Sequence, residues 1–272
     1  MTPRPFYWSL RRELWDNRAI WIAPLLTATW VFSMFVLITL VMARPGRVVP
    51  PMPYVIAPGF VIVAMALVWL FYTFDALHGE RRDRSILFWK SLPVSDRTTV
   101  LAKAATALLV LPLVTYATGA ALQLGLWLAH KAIGLLMGVS VAAAEPFPLL
   151  PSWGLLLYGV AVMTLWLAPI LAWNLLVSGW ARRAPLVWAA LPVIALGKIE
   201  ELVFRSRHIA DRWVSWTTEA YASTNREGLI IDPLNPIAPA EFVGSRSLWV
   251  GLAIAALFLV AAVRLRRRQS PL

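Results

Sequence analysis

The chain has 272 residues, of which 60% are hydrophobic and 14% charged, and its mean hydropathy is +0.69. A soluble domain carries about 25% charged residues, so this composition excludes an ordinary soluble fold and indicates a polytopic membrane protein. The 25 Lys and Arg residues outnumber the 14 Asp and Glu residues, and we assign this excess to membrane sidedness rather than to nucleic-acid binding. The chain has no cysteine, which excludes disulfides, thiolate metal sites and cysteine nucleophiles.

Residues 1–19 precede the first apolar run and predict a helix that lies on the inner membrane surface. Its pattern combines an apolar face with arginines that recur every seven residues: Tyr7, Leu10 and Leu14 beside Arg4, Arg11 and Arg18. This spacing favours an amphipathic helix whose arginines reach lipid phosphates, over a purely topogenic basic leader. No short apolar region with a small-residue cleavage site is recognisable, so the first span is expected to be the insertion anchor.

Six apolar runs follow, most of them close to the roughly 20 residues that cross a membrane as a helix. They are residues 20–43, 58–77, 100–129, 153–177, 186–204 and 248–263. With the N-terminus inside, the inner segments hold most of the 25 basic residues, whereas the short outer loops hold Arg44, Arg47 and Lys131. The sequence therefore predicts one all-α polytopic domain over residues 1–272, with six transmembrane helices and both termini inside.

Two outer segments are not predicted to span the membrane. Residues 131–152 are apolar but interrupted by prolines. Residues 205–247, between the fifth and sixth spans, combine charged residues, Trp213 and Trp216 with a proline-rich passage. This composition predicts one or two short helices at the outer mouth.

A polar loop, residues 78–99, separates the second and third spans. Alternating charges at residues 80–84 precede an apolar block at residues 86–89, and Pro93 is expected to end the helix that contains this block. A solvated loop has no need of adjacent Phe and Trp, and anionic lipid would repel the loop's acids. A protein partner of complementary charge is therefore favoured over an interfacial helix resting on lipid. The candidate docking residues are Glu80, Arg81, Asp83, Arg84, Phe88, Trp89, Lys90 and Pro93.

Other candidate chemistry is sparse. No P-loop is present, because Gly197-Lys198 lacks the upstream glycine and is followed by Ile199, so any ATP would be bound by another chain. The stretch from Glu200-Glu201 to Arg205 matches E-E-x-x-x-R, the first motif of the intramembrane CAAX-processing proteases. That reading needs histidines on neighbouring helices, and the available F-x-x-x-H ending at His78 lies at the predicted opposite face.

The alternative for the same glutamates is a charged helix end. Lys198 can pair with Glu201 at i,i+3, and Glu201 with Arg205 at i,i+4 in the favourable order. Charged groups near the end of a span cost much less free energy than charged groups at its centre. This second interpretation is favoured over the protease.

At the polar loop, the chain resembles the permease subunits of type-2 ATP-binding cassette transporters. The pattern that follows the second span in that family is matched here by Glu80-Arg81, Ser85, the block at residues 86–89, Ser91-Leu92-Pro93-Val94-Ser95 and Lys103. Residues 12–18, with Trp21 and Pro24, also resemble the entry of a subgroup of such permeases. The likeness extends over the whole six-span layout, and the polar loop is its most specific part.

The resemblance implies a permease that is not itself an enzyme and holds no cofactor, because a separate ATP-binding subunit would bind ATP and Mg. It implies a dimer with a second permease copy in a bacterial inner (plasma) membrane, with export as the expected direction. Residues 78–99 would form the coupling helix, and residues 205–247 outer helices that partly re-enter the membrane. Membrane lipids are expected partners and nucleic acid is not. An intramembrane protease using Glu200 and Glu201, and a non-transporting membrane scaffold, remain the alternatives.

Overall fold

The structure, a computed structural model, describes residues 5–42, 52–91, 94–137, 148–204 and 239–268. In these ranges the chain is helical and contains no strand. The helices are α1 (Pro5–Asp16), α2 (Ala19–Met42), α3 (Met52–Asp75), α4 (His78–Arg82), α5 (Ile86–Ser91), α6 (Asp96–Ala105), α7 (Leu111–Met137), α8 (Leu149–Trp180), α9 (Pro185–Phe204), α10 (Pro239–Gly244) and α11 (Arg246–Arg267). A π-helical segment, Thr106–Val110, joins α6 to α7. Residues 205–238, most of the predicted outer segment, lie outside the described ranges.

Five helical stretches in the described ranges are long and apolar enough to cross a membrane, by length and composition. They are Ala19–Met42, Ile56–Asp75, Asp96–Met137, Leu149–Trp180 and Arg246–Arg267. These correspond to the first four and the sixth predicted spans, so the all-α class and the multi-pass membrane character are confirmed. The predicted fifth span coincides with α9, which is not among the five and carries Lys198, Glu200 and Glu201 in its last two turns.

The bundle is built around α3 and α7, which pack against each other and against α2 and α8, while α11 lies along α8. Ala57, Val61, Met65 and Trp69 recur every four residues on α3 and are all buried in the main apolar core. This spacing keeps one face of α3 turned toward its neighbours. By contrast, α2 buries few residues and exposes large apolar side chains along most of its length, as a peripheral membrane helix does.

Two local features shape the chain between α3 and α5. A Cβ on Gly79 would meet the Asp75 carboxylate at 2.9 Å, so glycine leaves room for that side chain at the start of α4. Arg84 has a φ of 59°, a left-handed conformation, in the turn between α4 and α5. α5 ends at Ser91, before Pro93, in agreement with the sequence prediction, although Pro93 itself lies outside the described ranges.

A side-chain cap and one continuous helix define the third span. Ser95 Oγ accepts a hydrogen bond of 3.1 Å from the Thr98 backbone N–H and so begins α6. From there the helix runs through the π segment to the end of α7, 42 residues in all. At 1.5 Å per residue this length is about 63 Å, roughly twice the hydrocarbon thickness. A substantial part of this helix therefore extends beyond the apolar layer.

The left-handed backbone conformation in the turn between α8 and α9 can be tested by substitution. Ala184 is exposed and has a φ of 47°, whereas Ala190 is exposed inside α9. We expect Ala184→Gly to raise stability by about 0.5–1 kcal/mol, because glycine adopts positive φ without the steric cost borne by alanine. The same change at Ala190 is expected to lower stability by about 1 kcal/mol, because glycine disfavours a helix interior. Thermal unfolding in detergent compares the two variants, and equal losses would contradict the assigned turn.

Candidate functional site

Six charged side chains from four helices meet at one end of the bundle. We call them the charge cluster: Arg12 and Glu13 from α1, Glu80 from α4, Asp96 and Lys103 from α6, and Arg266 from α11. Three cations face three carboxylates, so the opposite charges compensate one another. The end of the bundle that holds them is called the charged end. It gathers the segments predicted to be inside, as a topology with both termini on one side requires.

The most deeply buried pair of the cluster joins α1 to α6. Lys103 Nζ lies 2.9 Å and 3.1 Å from the two carboxylate oxygens of Glu13, and these side chains are 4% and 3% exposed. Tyr72 Oη on α3 donates a further hydrogen bond of 3.2 Å to Glu13 Oε2. The ammonium and the carboxylate are shielded from water, so removing either partner would leave a buried charge without compensation.

Glu80 joins α4 to three other helices. Its Oε1 lies 2.9 Å from Arg12 Nη2 and 3.1 Å from Lys103 Nζ, and its Oε2 lies 2.7 Å from Arg266 Nη1. Burial alone would favour the neutral carboxyl, but the charges of Lys103, Arg266 and Arg12 outweigh it. The pKa of Glu80 is therefore lowered from its ordinary value, and the carboxylate is ionised at neutral pH.

Arg12 extends the cluster to α5. Its Nη2 lies 2.8 Å from Glu13 Oε1, and its guanidinium carbon lies 4.0 Å from the centre of the Trp89 ring. Burial opposes the charged form of Arg12, but the neighbouring carboxylates of Glu13 and Glu80 exceed this effect and raise its pKa. A cation over an indole face gains free energy, so Trp89 holds α5 against the cluster.

A second set of contacts fixes α4 to the end of α8. Arg81 Nη1 donates a hydrogen bond of 2.6 Å to the carbonyl oxygen of Gly179, and His78 Nδ1 lies 3.2 Å from the carbonyl oxygen of Ala181. These carbonyls stand at the negative end of the α8 dipole, where a cation is favoured. Burial, together with the nearby charge of Arg182, lowers the pKa of Arg81.

The predicted docking residues thus divide into an inward and an outward group. The Glu80 side chain is 10% exposed and Arg81 is buried, and both are engaged within the chain, whereas the sequence predicted that they present their charge to a partner. The reason is that compensating cations and helix-end carbonyls from distant parts of the sequence surround them. Asp83 and Arg84 are exposed, as expected for a surface that meets another protein.

The aromatic residues of α5 divide in the same way. Phe88 is 59% exposed and Leu87 beside it is 58% exposed, whereas Trp89 is half-buried under Arg12. The Phe88 and Trp89 rings meet edge to face, with centroids 4.9 Å apart. The Lys90 side chain and Pro93 lie outside what the structure describes. We call Asp83, Arg84, Leu87 and Phe88 the outer surface of the α4–α5 segment.

The predicted apolar face of α1 is split between two environments. Leu14 packs against the main core and Leu10 is half-buried, but Tyr7 is exposed together with Arg11 and Arg18. The exposed side of α1 carries Arg11 between two indoles, 5.4 Å from the Trp8 ring centre and 4.5 Å from that of Trp15. Arg4 lies outside the described residues. Glu13 is buried on the opposite side of α1, where it meets Lys103.

Sequence reasoning did not assign the charge cluster. Glu13 and Lys103 were noted only as parts of the family resemblance, and Arg266 only as one of the basic residues that set the orientation in the membrane. The sequence did contain a hint of the cluster. Glu13 is an acidic residue in a strongly basic N-terminal segment, and Glu80 lies just after the second predicted span. The pairing itself joins residues 90 positions apart in the chain, and no local pattern encodes it.

The glutamates of the protease motif lie at the end of α9. Lys198 Nζ is 2.9 Å from Glu201 Oε2, so the predicted i,i+3 pair is confirmed. Arg205 and His208 lie outside the described residues. Among the residues that are described, no group of three or more His, Cys, Asp or Glu side chains could hold a metal ion.

Comparison with protein-family models and with curated proteins finds no match for this chain. The geometry of the charge cluster and the adjoining outer surface is therefore the basis for assigning a function.

Two lysines allow a matched test of the cluster. Lys103→Met leaves Glu13 and Glu80 buried with one cation fewer, and we expect a loss of about 3–5 kcal/mol in stability. Lys198→Met removes a pair of similar length, 2.9 Å, but the Lys198 side chain is 74% exposed, so the expected loss is below about 1 kcal/mol. Thermal unfolding of both variants in the same detergent measures the difference. Similar losses would show that burial does not strengthen the Lys103 contacts.

The lowered pKa of Glu80 predicts a dependence of stability on pH. Because the folded protein releases this proton more readily than the unfolded chain, the contribution of Glu80 is present above its ordinary pKa of 4.5. It is lost as the pH falls through the lower pKa of the folded state. We expect Glu80→Gln to lose less stability than the wild type between about pH 5 and pH 3. Thermal unfolding midpoints of both proteins, measured across this pH range, test the prediction. Parallel plots of midpoint against pH for the two proteins would contradict it.

Proposed function

We propose that this chain is the permease subunit of a type-2 ATP-binding cassette exporter in a bacterial inner membrane. It pairs with a second permease copy, and each copy binds a separate ATP-binding subunit that supplies ATP and Mg. The observation that carries the proposal is the α4–α5 segment. This segment exposes an aromatic and charged surface at the charged end while its other side is fixed to α1, α6, α8 and α11.

The outer surface of this segment has the composition of a protein docking site. Phe88 and Leu87 offer exposed apolar area, and the exposed Asp83 and Arg84 add charges of both signs. A lipid headgroup layer favours positive charge alone, whereas a protein partner can complement both signs. A buried aromatic anchor with a charged rim is the usual arrangement of an interface hot spot.

The proposed topology completes the five membrane-spanning candidates with α9. This helix has 20 residues and exposes large apolar side chains around much of its circumference. Its three charged residues lie in its last two turns, and charged groups near the end of a span cost less free energy than at its centre. Six spans then place both termini and the charge cluster inside, and residues 205–247 outside.

The exposed side of α1 is proposed to rest on the lipid headgroups. α2 begins at Ala19, only three residues after α1 ends at Asp16, so α1 is held at the membrane boundary. Trp8 and Trp15 are exposed with Arg11 between them, and this pairing of indole and guanidinium suits the interfacial layer.

Two phenylalanines allow a matched test of docking. Phe88→Ala removes the proposed anchor, and Phe71→Ala removes a phenylalanine that is 67% exposed in the last part of α3, within the second predicted span. Loss of an anchor costs about 2 kcal/mol or more, which lowers affinity by more than tenfold. We therefore expect the Phe88 variant, purified from its native host in mild detergent, to lose most of the co-purifying ATPase. The Phe71 variant is expected to keep it.

Mass spectrometry and an ATPase assay on the purified material identify the partner. A wild-type preparation that carries no P-loop ATPase in several detergents would refute the proposal. So would a folded Phe88 variant that retains the ATPase at the wild-type level. A partner that binds without ATP hydrolysis would instead favour a membrane scaffold.

A further inference from the structure

Glu80 is placed to transmit movement rather than to contact a partner. Its carboxylate binds Arg12, Lys103 and Arg266 at distances between 2.7 Å and 3.1 Å, and these three cations belong to three different helices. The side chain is 10% exposed, so an approaching protein would not reach it. The α4–α5 segment is thus attached by one residue to α1, α6 and α11.

These contacts resist separation because they are buried. The side chains of Lys103 and Arg266 are almost completely shielded from solvent, and ion pairs in such surroundings are weakly screened. Water cannot readily replace either partner. A displacement of α4 is therefore expected to carry α6 and the end of α11 with it.

The third span contains a point at which such a displacement can be absorbed. Lys103 lies near the end of α6, and the π segment Thr106–Val110 begins three residues later. Pro112 follows in the first turn of α7 and has no N–H to donate to the preceding turn. π-helical turns and prolines are the usual sites at which helices bend.

We propose that Glu80 and Lys103 are positioning residues that couple the α4–α5 segment to α6, and that the third span bends at residues 106–112 when the segment moves. The inference rests on the proposed function, because a bound ATPase supplies the movement. The inference assigns two different roles, partner binding and transmission of movement, to different residues of the α4–α5 segment. Phe88 and its neighbours bind the partner, and Glu80 passes the partner's displacement to the membrane helices.

The test uses the purified complex of the full chain with its ATPase subunit. Hydrogen–deuterium exchange is measured with and without a non-hydrolysable ATP analogue. In the wild type, we expect the nucleotide to change the exchange rate of the amides of residues 106–111 by about tenfold, because a bend there opens or closes local hydrogen bonds. In Glu80→Gln, the ATPase is expected to remain bound and this response to disappear.

Control variants separate coupling from general damage. Glu201→Gln makes the same chemical change at a partly exposed glutamate in α9, and we expect it to keep the response. Lys103→Arg retains the positive charge, and we expect this variant to keep the exchange response as well. Pro112→Ala restores a backbone N–H without changing the charge cluster, and we expect it to reduce the exchange response at least by half. Because this variant leaves the charge cluster intact, it tests the bend even if the Glu80 variant does not fold.

The outcomes distinguish this inference from the proposed function. If the ATPase is bound and Glu80→Gln and Pro112→Ala both respond like the wild type, the coupling role is overturned and the transporter assignment stands. If a folded Glu80→Gln protein releases the ATPase, Glu80 belongs to the docking contact and the coupling role is again overturned. If no ATPase accompanies the wild type, the proposed function fails first.

Discussion

The burial of Lys103 between two glutamates is the constraint on which the charged end depends. An ammonium ion removed from water costs several kcal/mol unless carboxylates replace its hydration, and here Glu13 and Glu80 do so from two different helices. Lys103 alone does not compensate two carboxylates, and further cations lie beside each of them: Arg12 beside Glu13 and Arg266 beside Glu80. Electrostatic compensation therefore acts together with the apolar contacts of Val100 and Ala262 to fix where α1, α4, α6 and α11 meet.

This constraint explains why so short a segment can have a fixed orientation. α4 and α5 contain five and six residues, too few to form stable helices on their own. Glu80 and Arg81 fix the segment from the inside, one through the charge cluster and the other through the carbonyls at the end of α8. Asp83, Arg84, Leu87 and Phe88 are then left to face solvent. A rigid attachment and an exposed surface therefore both arise within residues 78–91.

The sequence predicted the helical class and most of the spans because both depend on composition alone. A run of apolar residues crosses a membrane as a helix whatever its neighbours are, so residues 20–43 closely match the observed Ala19–Met42. The ends were less predictable: the third span was predicted at residues 100–129, but its helix extends from Asp96 to Met137. The Ser95 cap and the continuation past Lys131 lie outside the apolar run.

The local charge pair was also predictable, and the charge cluster was not. Lys198 and Glu201 are three residues apart, so helix geometry alone brings them together. Glu80 and Arg266 are separated by most of the chain, and their contact exists only after α8 and α11 have packed. The sequence suggested that residues 78–99 carry function, but it could not divide them into buried and exposed members, because that division depends on helices elsewhere.

The polar contacts between helices differ at the two ends of the bundle. At the end opposite the charge cluster, two contacts between described helices are neutral: Thr39 Oγ1 lies 3.0 Å from His130 Nε2, and Gln123 Nε2 donates to the carbonyl oxygen of Tyr54 at 2.8 Å. Single neutral hydrogen bonds hold helices with modest strength, typically about 1 kcal/mol each. The charged end instead ties α1, α6 and α11 to the α4–α5 segment through paired ions. A force applied at the charged end would therefore move these elements together, while the weaker contacts at the opposite end separate first.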